Sequence, residues 1–249
     1  MKLDIEGRVA IVTGASRGLG RAAAEALAAE GVSVLAAARS EADLKALRES
    51  APDAIETAVV DMTSAADVAA LADRAVEVFG RLDIVVNNAG IAPAGSFAEQ
   101  SQEVWDEVFA INVTAPAVLT RAAGRHLLAQ GSGKIINIAS TSGINGKPSL
   151  VAYSSSKGAV LQFTKALAAE WGRFGVQVNA IAPGAFETQA QHAVLADPEI
   201  LRRRIRKIPA GRMGQPREFA SLVAYLASPL SDFVTGSVLV MDGGEVSKL

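Results

Sequence analysis

The sequence contains no cysteine. Disulfides, thiolate nucleophiles and Cys-ligated metals are therefore excluded. Histidine is nearly absent too. His126 and His192 stand far apart in the chain, so no metal site is expected. Aromatic residues make up 5% of the chain, and only two of them are tyrosines. Neither charge sign dominates: 24 Lys and Arg face 26 Asp and Glu, a net charge of −2. That balance supplies no general attraction to nucleic acid or to an anionic membrane, and neither is expected as a partner. No uninterrupted apolar run approaches the roughly 20 residues that cross a bilayer. The opening Met-Lys-Leu-Asp-Ile-Glu lacks the apolar core of a signal peptide. A soluble, cytoplasmic protein is expected. One detail qualifies this: Ser247-Lys248-Leu249 matches a peroxisomal address, which matters only in a eukaryote.

Half of the 249 residues are hydrophobic and a fifth are charged, enough for a large core. Short apolar runs at Val9–Thr13, Ser33–Ala37, Thr57–Val60, Asp83–Val86, Lys134–Ile138, Gln177–Ile181 and Ser237–Val240 read as strands. Helical patterns separate them, at Leu19–Glu30, Glu41–Glu49, Ala65–Phe79, Gln102–Ala110, Val113–Gln130, Tyr153–Phe174 and Pro216–Ala227. Strands alternating with helices predict an α/β fold: a parallel, doubly wound sheet covered on both faces. No linker or repeat divides the chain, so residues 1–249 are expected to form one dinucleotide-binding catalytic domain. The irregular stretch Pro183–Pro209 is expected to supply a substrate-binding loop or lid over 184–209.

The first strand runs into Thr13-Gly-Ala-Ser-Arg-Gly-Leu-Gly20 and then a helix. Glycines at 14, 18 and 20 allow a tight turn and close approach of backbone to phosphate. The helix N-terminus adds unpaired N–H groups. At the end of the second strand an acid would bind an adenine ribose. The chain instead has Ala36-Ala37-Ala38-Arg39-Ser40, with Arg17 in the turn. Two guanidiniums suit a 2′-phosphate, so NADP(H) is the expected cofactor.

Tyr153 and Lys157 are four residues apart in YSSSK, on one helical face. A free phenol has a pKa of about 10 and is ionised about once in a thousand molecules at neutral pH. A nearby ammonium and the positive helix end are expected to lower that pKa toward the range for general acid–base work. Ser140, at the carboxyl end of a strand, is a candidate second donor to a substrate oxygen.

Together these segments resemble the short-chain dehydrogenase/reductase family over essentially the whole chain. The matches are TGASRGLG, Asp61, NNAG at 87–90, Asn112 in FAINVT, the serine of INIAS, YSSSK, Pro183-Gly184 with Thr188, and MDGG at 241–244. The resemblance implies a Rossmann-like sheet of seven strands in the order 3-2-1-4-5-6-7. It implies a catalytic set of Asn112, Ser140, Tyr153 and Lys157. Tyr153 would be the general acid or base, Ser140 would hold the reacting oxygen, Lys157 would bind the nicotinamide ribose, and Asn112 would position a water. Gly14, Ser16, Arg17, Gly18 and Leu19 would line the phosphates. Asp61 and Met62 would meet the adenine, Asn88 the ribose, and Pro183, Gly184 and Thr188 the nicotinamide. Asn87 is read as structural. It also implies a homotetramer paired through the helices at Val113–Gln130 and Tyr153–Phe174.

The substrate is expected to be a small carbonyl compound or alcohol. Its pocket would be built by Ser140, Ile144, Asn145, Tyr153, Phe186 and His192. The segment LADPEILRRRIRKIPAGRMGQP is similar to its counterpart in gluconate-type sugar-acid dehydrogenases, which suggests a sugar acid. The basic run at 202–207 within it reads mainly as a solvated helix face. A 3-oxoacyl-[acyl-carrier-protein] reductase is an alternative, and a non-catalytic nucleotide-binding regulator is an alternative of another class.

Overall fold

A computed structural model of the chain describes residues 2–248. Seven strands form one sheet: β1 (Val9–Thr13), β2 (Ser33–Ala38), β3 (Ile55–Val59), β4 (Ile84–Asn87), β5 (Gly133–Ile138), β6 (Val176–Pro183) and β7 (Val238–Met241). Every pairing is parallel, and the order is β3-β2-β1-β4-β5-β6-β7. This is the expected doubly wound arrangement. The helices are α1 (Gly18–Ala29), α2 (Glu41–Ser50), α3 (Ala65–Phe79), α4 (Gln102–Phe109), α5 (Ala115–Gln130), α6 (Val151–Trp171), α7 (His192–Ala196), α8 (Pro198–Ile205) and α9 (Pro216–Ala227).

The strands lack polar alternation because both faces are covered. Ala10, Val12, Val34 and Ala36 pack into a layer with Ala23, Leu27, Leu44, Phe219 and Val223 of α1, α2 and α9. Val9, Ile11, Leu35 and Ala37 face the other way, toward Val68, Leu71, Leu119 and Leu127 of α3 and α5. Burying one such side chain contributes roughly 1.5–3 kcal/mol. Between β4 and β5 the core is polar. Asn87 Nδ2 donates to Thr120 Oγ1 at 3.0 Å and to Asn137 Oδ1 at 2.8 Å, and Asn137 Nδ2 donates to Thr164 Oγ1 at 2.9 Å. These bonds tie the sheet's centre to α5 and α6.

Three expectations need correction. The helices of 102–130 do not separate: α4 and α5 are joined by a π turn, Ala110–Thr114. Pro116 falls in the first turn of α5, where its missing N–H is tolerated. The stretch after β6 is not irregular, because it contains α7 and α8. The Asp197 carboxylate accepts from the N–H groups of Glu199 and Ile200, and Pro198 opens α8. Finally, β6 continues past Ile181 to Pro183. At the tail, Glu245–Ser247 forms a short 3-10 turn, and Leu249 of the peroxisome-type tripeptide lies outside the described residues.

Candidate active site

All strands run the same way, so the residues that follow them gather along one edge of the sheet. Ser140 comes two residues after β5 and Tyr153 lies in the first turn of α6. Their approach depends on Gly143. A Cβ there would lie 2.6 Å from the Lys157 carbonyl carbon and 2.8 Å from the Gly158 nitrogen. Only a glycine lets the Ser140 turn rest on the α6 backbone. Ser140 Oγ accepts from the Ser142 N–H at 3.1 Å and shares the wall of one cavity with the Tyr153 phenol.

Lys157 is buried, and its Nζ donates to the Ile138 carbonyl at 2.6 Å. The Nζ is 5.8 Å from the centroid of the Tyr153 ring. Burial brings the Lys157 pKa down to about 8. Burial pushes the Tyr153 phenol up, and the hydrogen bond from Ser140 pulls it partly back. This corrects the expectation of a phenol depressed by the ammonium. Desolvation dominates, and Ser140 is the group that favours the charged form.

Asn112 is fully buried in the π turn. Its Oδ1 accepts from the Ile91 N–H at 2.9 Å, while its Nδ2 donates to the Ile91 carbonyl at 2.9 Å and to Ser156 Oγ at 3.0 Å. The amide therefore locks the strand-end loop onto α6. Its backbone carbonyl would bond the N–H four residues on in an α-helix, but that residue is Pro116.

Tyr153 separates two cavities. The larger, about 660 Å³, is lined by Gly14, Ser16, Arg17, Gly18 and Leu19 of the turn after β1, by Arg39, Asp61, Met62 and Asn88, and by Tyr153, Lys157 and Thr188. The expected cofactor residues are thus brought together, with two exceptions. Pro183 and Gly184 do not line it. Pro183 is buried as the last residue of β6, and Gly184 faces the second cavity. Asn88 is also partly committed, since its Nδ2 donates to the carbonyls of Thr13 and Gly14 at 2.9 and 3.2 Å. Ser40 and Asp43, not anticipated from sequence, line the same space. The donor set suits a dinucleotide. Arg17 sits at the N-cap of α1 without a side-chain bond to it, and no acid occupies the first turn, so the helix N–H groups are open to an anion.

The smaller cavity, about 360 Å³, is lined by Ser140, Ser142, Tyr153, Gly184 and Ala185, with Lys147, Arg204, Lys207 and Glu245. Four residues expected here lie elsewhere. Phe186 is buried in the core, its ring filling the space over Gly214 and meeting Phe219 edge-on at 6.1 Å. Ile144, Asn145 and His192 are exposed side chains that do not line either cavity. Phe186 is expected in the pocket because it lies in the 184–209 segment. A bridge to Gly214 instead fixes Phe186 inward. Arg204 and Lys207 belong to the basic run that reads mainly as a solvated face, while Lys147 and Glu245, distant from it in sequence, are not anticipated.

The chain matches the family model described as enoyl-(acyl carrier protein) reductase over residues 14–245. It belongs to the short-chain dehydrogenase/reductase family. Among relatives, it is 37% identical to gluconate 5-dehydrogenase of Gluconobacter oxydans, covering 97% of this chain and 95% of that one. It is also 37% identical to the 3-oxoacyl-[acyl-carrier-protein] reductase FabG of Vibrio cholerae, covering 97% and 98%. Among solved structures, a putative NAD(P)-dependent gluconate 5-dehydrogenase from Beutenbergia cavernae, with NADP bound at low occupancy, superposes with a TM-score of 0.94 at 38% identity over 100% of both chains. No helix among the described residues is long and apolar enough to cross a membrane.

Proposed function

We propose that the protein is an NADP(H)-dependent oxidoreductase that interconverts a ketone and a secondary alcohol, with a small sugar acid as the substrate class. The observation that carries this reading is the position of Tyr153, which lines both cavities, with Ser140 beside it on the wall of the smaller one. The larger cavity would hold the dinucleotide, which supplies or accepts the hydride when bound. Arg17 and Arg39 would take its phosphates, Arg39 the one on the 2′ position.

Within this frame the chain's own residues manage one proton and one oxygen. Ser140 donates to the substrate oxygen. Tyr153 gives its proton to that oxygen in reduction and removes it in oxidation. Both roles require the phenol beside a polarising donor, which the Ser140 turn provides. The Lys157 ammonium would hold the ribose side. The backbone carbonyl of Asn112, which has no i+4 N–H partner because of Pro116, would hold a water, because its amide is fully used. Keeping a phenol in this geometry suits carbonyl chemistry rather than reduction of a carbon–carbon double bond.

The 3-oxoacyl thioester reading has one supporting observation, the equal identity to the Vibrio cholerae reductase. Against it stand the three cations that line the smaller cavity, which suit an acid better than an acyl chain. Assembly as a homotetramer through α5 and α6 belongs to the same proposal.

The test is NADPH oxidation against oxo sugar acids, 3-oxoacyl thioesters and neutral cyclic ketones, with alcohol oxidation run in parallel. Turnover highest with the oxo acids supports the reading. Turnover of thioesters alone, or of none, overturns it. Arg39→Asp should move the NADPH-over-NADH preference by about 10- to 100-fold. An unchanged ratio removes the 2′-phosphate assignment.

A further inference from the structure

The smaller cavity carries more positive charge than the chain as a whole. Lys147, Arg204 and Lys207 face the single carboxylate of Glu245 on its wall, while the whole protein has a net charge of −2. The three cations are not equivalent. Arg204 is already satisfied: its two terminal nitrogens donate to the two Glu245 oxygens at 2.6 and 2.7 Å, and both side chains are largely buried. Lys207 is exposed. Lys147 is half-buried, and its Nζ makes no hydrogen bond among the described residues.

The second acid near Lys147 does not remedy this. Asp242 spends Oδ1 on the Gly244 N–H at 2.8 Å and Oδ2 on the Val246 N–H at 2.7 Å. Burial lowers the Lys147 pKa, as do the neighbouring charges of Arg204 and Lys207, while Glu245 and Asp242 oppose them. A partly desolvated ammonium with no partner is costly unless something else supplies the acceptor.

The backbone of Lys147 is meanwhile fixed relative to Tyr153. Its N–H donates to Ser154 Oγ at 3.2 Å, and its carbonyl accepts from the Leu150 N–H at 3.2 Å. Lys147 is therefore tied to the residue next to Tyr153, at the start of the same helix.

We propose that Lys147 is the anchor for the substrate's carboxylate, with the Arg204–Glu245 pair as a neutral wall and Lys207 at the rim. This rests on the reading of the site as one for a sugar acid. It adds the residue that recognises the acid group and sets its distance from the reacting carbon. The substrate class that follows is a hydroxy or oxo acid with its carboxylate ionised.

The experiment uses D-gluconate and D-glucitol, which differ in carrying a carboxylate or a hydroxymethyl group at one carbon. NADP-dependent oxidation of each is measured for the intact protein and for Lys147→Gln and Lys147→Arg. Binding of D-gluconate to the NADP complex is titrated by calorimetry alongside. Lys147→Gln should lower the gluconate-to-glucitol ratio of kcat/KM by about 10- to 100-fold, mainly through KM, as expected for loss of a charge-assisted hydrogen bond. Lys147→Arg should recover most of that ratio. Weaker calorimetric binding must accompany the loss. A ratio unchanged within about twofold, or an arginine variant no better than the glutamine one, overturns the anchor. Should the intact protein bind gluconate through Lys147 yet oxidise neither compound, the anchor stands and the sugar-acid dehydrogenase reading falls. Should it bind no gluconate, the anchor is overturned while the carbonyl chemistry at Tyr153 is untouched.

Discussion

The two cavities that meet at Tyr153 are made in different ways. The larger is built mostly from backbone: strand ends, a glycine turn and an uncapped helix N-terminus. The smaller takes its charged side chains from the loop before α6, from α8 and the turn after it, and from the tail. Geometry in the first follows from the sheet and leaves little freedom. Geometry in the second depends on which cation meets which carboxylate, and those pairings can change without disturbing the fold. Common chemistry and variable substrate choice can thus be located in different parts of one molecule.

Changes on the backbone-built side should be the more damaging. Tyr153→Phe removes the transferable proton and should lower kcat by about 10²- to 10⁴-fold, the usual range for general acid–base catalysis. NADPH binding, measured by fluorescence titration, should change little. Retained turnover would break the assignment. Gly143→Ala should overpack the contact with the Lys157 backbone. Its expected cost is about 1–3 kcal/mol in denaturant unfolding, together with reduced turnover as Ser140 moves. A variant of normal stability and activity would show that this turn is not what sets the Ser140–Tyr153 geometry.

A pH series sharpens the comparison. The Lys157 pKa of about 8 lies below its ordinary value, so the ammonium is lost as pH rises through about 8. Ketone reduction that requires this charge should fall along a basic limb near pH 8, approaching tenfold per unit in kcat/KM. Stability moves the other way: from about 8 to 10.5 the folded form binds fewer protons than the unfolded form, so the lysine's contribution to unfolding free energy rises with pH. The smallest effect belongs to the outer face of α8. Arg203→Ala breaks an exposed pair with Glu199 and should change stability by less than about 0.5 kcal/mol.

The same contrast explains what could be read from the sequence. Strand identity was legible because a buried parallel strand must be a short apolar run, and Val9–Thr13 and Ile84–Asn87 have no other way to sit in the sheet. The glycine turn and the Tyr153–Lys157 pair were legible because each is local. The π turn at Ala110–Thr114 was not, since it differs from an α-helix only in a shift of its hydrogen bonds by one residue, which no side-chain pattern marks. The direction of the Tyr153 shift was misjudged because spacing indicates proximity but not dryness. The Arg204–Glu245 pair spans 41 positions and depends on how α8 and the tail fold back, which no local pattern encodes. Phe186 was misplaced for a related reason: its destination is set by Gly214, on a later segment.

A Cβ on Gly184 would lie 2.6 Å from Asp242 Cβ, so the segment after β7 rests directly on the end of β6. Glu245 stands on that same segment and clasps Arg204 at the wall of the smaller cavity. An insertion between β7 and Glu245 would therefore loosen the clasp. The beginning of β1 opens onto the opposite edge of the sheet, where the same insertion would leave substrate selection alone.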